Sequence, residues 1–295
     1  MKGLALSGTM AGAMLVIAFT GMMAGADGIT KFVAGSYAAP QLFALSAALV
    51  CALTLVSARA SGGMRTGLAT TCRQAMAIRA ALTVVASLAF FQAFRMLPFA
   101  DVFLFIAFIP LLAAALGGPI LREPPRPSAW LAVLVGLGGM VFMLPGGLSG
   151  LQFGHGWALL AAVSGCGSML AARHIARVER VPLAQVFWPN AALMLAMGLA
   201  LPFVWQPMGW IDLGWVVAYS ALLFGARYVS AEALRLLPAH VALPLMNLQF
   251  VWMVAIGLIA FGEIPASGTI IGAMLIVASG LWLVAEEQIA RSRMA

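Results

Sequence analysis

The sequence predicts an all-α membrane protein: ten transmembrane helices arranged as two inverted five-helix repeats. Three observations predict it. Hydrophobic residues make up 63% of the chain and charged residues only 8%, against roughly 25% charged in ordinary soluble proteins. A segment of the first half recurs in the second at a constant offset. The basic residues fall almost entirely on alternate loops.

Each span follows from an apolar run near the length that crosses a bilayer, about 20 residues. Such runs occur at 9–30, 38–57, 76–95, 99–121, 128–145, 155–175, 184–204, 212–233, 240–261 and 267–285. They are apolar on every side, which excludes the short alternating strands of a β-barrel. The first run imitates a secretion signal, with Lys2 before it and Ala24-Gly25-Ala26 near its end. It is longer than the roughly 7–15 residues of a signal core, so it reads as an uncleaved first span.

With the N-terminus in the cytoplasm, thirteen basic residues fall on the cytoplasmic side: Lys2, Arg59, Arg65, Arg73, Arg79, Arg122, Arg126, Arg173, Arg177, Arg180, Arg235, Arg291 and Arg293. Only Lys31 and Arg95 fall on the other side, and Arg227 lies within a span. That asymmetry is the positive-inside pattern, and it places both termini in the cytoplasm.

The repeat is read from Gln92-Ala93-Phe94-Arg95-Met96-Leu97-Pro98 against Glu232-Ala233-Leu234-Arg235-Leu236-Leu237-Pro238. At the same offset of 140 residues Gly117 meets Gly257, Glu123 meets Glu263 and Pro125 meets Pro265. Matching leucines arise by chance; Arg, Pro, Gly and Glu in one ungapped register do not. The halves are residues 1–147 and 148–295. Five spans per half is an odd number, so the second half enters the membrane from the opposite side, a construction used by many secondary transporters.

Several function classes are disfavoured. The basic residues form no stripe with aromatics, so the charge of +7 does not indicate a nucleic-acid partner. Cys51, Cys72 and Cys166 are an odd number without C-x-x-C spacing, which supports neither a disulfide framework nor a zinc site. No HExxH, GxSxG or GxxxxGK[ST] occurs. The reading is therefore not an enzyme and needs no cofactor. Its partners are the bilayer and a small-molecule substrate, and the protein is a monomer or weak dimer.

The segments Leu121-Arg122-Glu123 and Gly136-Leu137-Gly138-Gly139, with Phe261-Gly262-Glu263, Gly272 and Gly280 as the second copy, resemble the EamA family of the drug/metabolite transporter superfamily. Thr20-Gly21-Met22-Met23-Ala24-Gly25 through Lys31 is similar to that family's first helix. The chain departs from the family at Ser46, where an arginine is common, and lacks the tryptophan usual before the first-helix glycine. The resemblance implies a bacterial inner-membrane carrier that exports amino acids or related amphipathic metabolites by alternating access. The alternatives are an importer of a nucleoside-like or sulfonium metabolite, and a non-transporting receptor or assembly subunit. It also implies a central cavity between helices 1, 3, 4, 6, 8 and 9.

Ionisable groups inside a membrane cost roughly 2.5–3.5 kcal/mol each, so each needs a reason. Asp27 and Lys31 are four apart on one face of the first span, as a helix-end ion pair or a coupling and gating site. Glu232 lies three before Arg235, as a snorkelling pair or a proton-coupling site. Its repeat counterpart Gln92 cannot titrate and joins the candidate substrate contacts. Arg227 is deep, with no acid one turn away, and is a contact for a substrate carboxylate or for backbone carbonyls. Asn247 is the expected substrate contact of the ninth span. Ser164, four before Ser168, lines a cavity or permits close helix packing. Phe105, Phe108, Tyr228 and Trp252 supply an apolar cavity wall or simple packing. Glu123 and Glu263 read as structural, and Gly8-x-x-x-Gly12 and Gly21-x-x-x-Gly25 as close-packing faces.

Overall fold

The computed structural model describes residues 2–60, 67–97, 152–237, 241–242 and 245–262, with single positions between 102 and 135 and between 271 and 282. The helices are α1 (Lys2–Ala34), α2 (Ala39–Ala60), α3 (Arg73–Met96), α4 (Phe153–Val178), α5 (Pro182–Val204), α6 (Trp210–Leu236) and α7 (Gln249–Phe261). A 3-10 turn, Met246–Leu248, precedes α7. In lipid the backbone must satisfy its own hydrogen bonds, so apolar runs fold as uninterrupted helices. Local chemistry sets their ends. Pro182 opens α5, where its missing N–H costs nothing. Asp212 accepts the Gly209 N–H at 3.2 Å at the start of α6. Gly262, at φ 64°, closes α7 in the left-handed conformation.

Among the described residues, six helices are long and apolar enough to cross a membrane: α1 from Met10, and α2 to α6. Their outer faces are apolar, with Leu199 79%, Phe203 87% and Ile211 80% exposed. Lipid tolerates such faces and water does not. The chain is a multi-pass helical membrane protein.

The ten-span expectation is corrected here, and the two five-helix repeats go with it. The described residues form seven α-helices, six of them spanning. The expected ninth span, 240–261, counts apolarity alone, but the 3-10 turn interrupts it and leaves α7 only 13 residues. Hydropathy registers composition and cannot register a break in the backbone. The expected spans at 99–121, 128–145 and 267–285 fall outside the described residues except at single positions.

Three pairings dominate the packing: α1 with α6, α2 with α5, and α3 with α4. Each pair is antiparallel. Gly12 of α1 backs onto Leu237 and Gly225 of α6 onto Met22, so close that a methyl at Gly12 would lie 2.7 Å from Leu237 Cγ. Gln41 at the start of α2 brackets Gln206 just beyond α5, accepting the Gln206 N–H at 3.1 Å and donating to its carbonyl. Thr83 and Ser168 place their hydroxyls 2.9 Å apart between α3 and α4. Exchanging α1-α2-α3 for α4-α5-α6 leaves this set of pairs unchanged. It also exchanges the secondary contacts α2–α6 and α3–α5, and α1–α3 and α4–α6. Since paired helices run oppositely, the exchange inverts direction.

Two clasps obey the same exchange. Tyr37, in the α1–α2 link, donates to Asp212 at the start of α6 at 2.7 Å. Glu179, in the α4–α5 link, accepts from the Thr70 hydroxyl, the Thr71 N–H at 3.0 Å, the Thr71 hydroxyl at 2.8 Å and the Cys72 N–H at 3.4 Å. The clasps lie at opposite ends of the bundle. Partial burial pushes the Glu179 carboxyl up, but the hydrogen bonds from Thr70, Thr71 and Cys72 outweigh it and hold the group below the ordinary glutamate range. A depressed value means the clasp's stabilisation is complete above the unfolded value and is lost as pH falls through the folded one. Thermal unfolding in detergent is therefore expected to be steeper in acid for the native chain than for Glu179→Gln below about pH 5. Parallel acid profiles would remove Glu179 from that role.

Candidate functional site

A cavity of about 160 Å³ lies where α1, α3, α4 and α6 meet, with Phe43 of α2 at its wall. Each helix contributes one stripe at helical spacing: Phe19, Met23, Asp27 and Thr30 from α1; Arg79, Thr83, Ser87 and Phe90 from α3; Tyr219, Leu223, Arg227 and Ser230 from α6. The α3 and α6 stripes coincide at the 140-residue offset. Arg79 matches Tyr219, Thr83 matches Leu223, Ser87 matches Arg227 and Phe90 matches Ser230. The exchange thus carries one lining face onto the other and moves the arginine about two turns along it.

Arg79 is buried, with 5% exposure. Its Nη1 donates to the Ser168 carbonyl at 3.1 Å and its Nη2 to the Gln185 carbonyl at 3.5 Å. The second acceptor has a local origin. Pro189 sits inside α5 and has no N–H, so the carbonyl four residues back, that of Gln185, loses its helical donor. Arg79 supplies one in its place. The Ser168 and Thr83 hydroxyls close the network, Thr83 donating back to the Arg79 carbonyl at 2.8 Å. Arg79 Nε has no acceptor among the described residues.

Opposite, the Gln249 amide of α7 donates to Asp27 Oδ2 at 2.6 Å. Arg227 lines the same cavity, and none of the described residues accepts a hydrogen bond from its guanidinium. The chemistry assembled is two guanidinium groups, one carboxylate and several hydroxyls inside an apolar bundle.

The structure therefore brings together Asp27 and Arg227 of the sequence-predicted residues and sets most of the others elsewhere. Lys31 lies over the Phe261 ring, 4.9 Å from its centroid. Glu232 bridges Arg180 Nε at 3.2 Å and Arg235 Nε at 3.0 Å at the end of α6. Ser164 is buried in α4 one position from the cavity-lining Gly165. Gln92 is half-buried outside the cavity. Phe105 packs against His155, 5.7 Å between ring centres. Tyr228 stacks on Phe224 and is exposed, as is Trp252. Phe108 and the side chain of Asn247 lie outside the described residues.

Sequence reasoning misses Arg79, because the positive-inside count absorbs it as a loop charge. Its spacing from Thr83 and Ser87 and its repeat match to Tyr219 are the signals that find it. Of the cavity implied between helices 1, 3, 4, 6, 8 and 9, the described lining comes from spans 1, 3, 6 and 8, with Phe43 added from the second span and Gln249 reaching Asp27 from the ninth segment. A second, larger groove of about 590 Å³ lies between α3 and α5, lined by Met76, Ala80, Trp188 and Leu195 among others. Trp188 and Leu195 are exposed, so this groove opens outward and gathers no buried charges.

No protein-family model matches the chain, and no curated protein matches it. Among solved structures 28 chains match. One, described only as "Crystal structure of protein", is 20% identical with a TM-score of 0.71, over 95% of this chain and 96% of that one. At that identity the likeness is one of fold alone.

Proposed function

We propose that the chain is a secondary transporter of EamA type, exporting amino acids or related amphipathic metabolites by alternating access. The observation that carries this reading is the central cavity with Arg79, Arg227 and Asp27 on three helices. Buried charges in a membrane protein mark substrate and ion pathways. The cavity is smaller than the roughly 300–1,000 Å³ of sites for drug-sized ligands, which favours a small metabolite as cargo.

The two clasps support the mechanism. Releasing Tyr37 from Asp212 loosens one end of the bundle, and releasing Glu179 from Thr70 to Cys72 loosens the other. A carrier that opens one end at a time needs a closure at each. The inner-membrane placement with cytoplasmic termini rests on charge. Arg59, Arg73, Arg173, Arg177, Arg180 and Arg235 gather at one end of the described bundle, with Lys31 and Arg95 toward the other.

Counterflow in proteoliposomes tests the reading. Preloaded amino acid is expected to drive uptake of labelled amino acid, and failure of exchange across amino acids, nucleosides and cationic dyes would refute transport. Proton coupling, if present, resides in Asp27. Asp27→Asn is expected to lose pH-driven transport and keep exchange. Glu232→Gln, which removes a carboxylate already held by two arginines, is expected to keep both. Loss of pH-driven transport in Glu232→Gln alone would move the coupling site to the end of α6.

A further inference from the structure

The charges of the cavity do not balance, and the imbalance has one sign. Arg79 and Arg227 stay protonated at any physiological pH. Asp27 is the one charged member whose charge a proton can remove. The three together are net positive in either state of Asp27: one positive charge when it is ionised, two when it is not. An unbalanced charge held among membrane-spanning helices is costly, and a bound anion would complete it.

The hydrogen-bonding inventory points the same way. Both Nη groups of Arg79 are used by backbone carbonyls, while its Nε, on a side chain 95% buried, has no acceptor among the described residues. Arg227 likewise finds no acceptor among them. Donors are therefore in surplus on the α3 and α6 walls. A carboxylate accepts several such bonds at once, and charge-assisted bonds of this kind are the strong ones. On the α1 wall Asp27 is held by a neutral amide, which leaves its charge to answer an ammonium on the cargo.

Taking the cavity to be the cargo site, we propose that it selects small organic anions of one net negative charge over neutral zwitterions and cations. The carboxylate meets Arg227 beside the buried Arg79 charge, and an ammonium, where the cargo has one, meets Asp27. An acidic amino acid satisfies all three side chains, its two carboxylates and one ammonium complementing two guanidiniums and one carboxylate. A simple monocarboxylate satisfies the arginines only. Within amino acids, the proposal narrows the cargo to the acidic ones.

The test is ligand-induced thermal stabilisation of the purified full chain in detergent, with glutamate, pyruvate, succinate, leucine and lysine as probes. Glutamate and pyruvate are expected to stabilise; leucine and lysine are not. Asp27→Asn fixes the cavity at two positive charges and is expected to move the preference to the dianion succinate. Arg227→Gln is expected to weaken glutamate roughly tenfold or more and to narrow its lead over leucine. Stabilisation by leucine or lysine equal to that by glutamate would overturn the proposal, as would an unchanged ranking in both variants, or no response to any probe. Counterflow with the same five compounds separates this claim from the carrier reading. Exchange of leucine without the anions sinks the charge assignment and leaves the carrier. Binding of the anions without exchange of any compound does the reverse.

Discussion

Replacing Arg227 with glutamine is expected to cut the affinity for a carboxylate cargo about 10- to 150-fold while leaving the folded protein no less stable. The magnitude is that of one hydrogen bond to a charged group, roughly 1.5–3 kcal/mol, at 1.4 kcal/mol per factor of ten. The lack of a folding penalty follows from the inventory: no described residue depends on the Arg227 guanidinium for a hydrogen bond, and its removal takes a charge out of a membrane-embedded cavity, which relieves a cost. Arg227→Lys keeps the charge but loses the planar fork, so its affinity should fall between the two. Counterflow measured at several substrate concentrations, with the unfolding temperature of the same preparation, checks both halves. An Arg227→Gln variant that unfolds many degrees lower at unchanged apparent affinity would make Arg227 a structural residue.

Arg79 is expected to behave in the opposite way, although it lines the same cavity. Arg79→Leu removes a donor from two buried carbonyls: that of Ser168 keeps its helical donor within α4, while that of Gln185, facing Pro189, is left with none. Leaving a buried acceptor unsatisfied costs about 1–3 kcal/mol. The two lost bonds also tie α3 to α4 and to α5, so a marked fall in unfolding temperature is expected. Pro189 makes the argument testable. Pro189→Ala restores an N–H four residues after Gln185, and the α5 helix can then satisfy that carbonyl by itself. Arg79→Leu is accordingly expected to cost less in the Pro189→Ala background than in the native one, with a coupling of about 1 kcal/mol between them. Strict additivity would show that Arg79 does not act through the carbonyl freed by Pro189.

The contrast between these arginines shows where sequence reading stops. In the sequence both are basic residues in or beside an apolar run. Arg227 stands out because it is alone in the middle of its span. Arg79 lies close to the start of its own, where the positive-inside bias expects a basic residue, and nothing local separates a charge at the interface from one turned inward. The separation depends on Ser168 of α4 and Gln185 of α5, about ninety and a hundred residues away along the chain. Glu232 shows the converse. Its local partner Arg235 is legible at a spacing of three, while Arg180, from the α4–α5 link, joins only in the fold.

The span count failed for a related reason. Composition and run length place α1 to α6 within a few residues of where they fold, because a helix in lipid needs only apolar side chains and its own backbone bonds. Whether a further apolar run continues as one helix depends on its neighbours. The segment at 240–261 tightens into a 3-10 turn just where Gln249 must reach Asp27, and its apolarity gives no warning of that.

By itself, then, the sequence determined the membrane environment, the helical class, the positions of six spans, and Asp27 and Arg227 as groups that need a buried partner. These follow from the cost of exposing polar atoms to lipid, a cost each segment meets alone. The nested antiparallel pairing, the clasps at opposite ends, the recruitment of Arg79 by the carbonyl that Pro189 frees, and the convergence of three charges on one small cavity were decided by the tertiary structure. Each requires groups from distant helices to satisfy one another, and a hydrogen bond between helices has no signature in either helix alone.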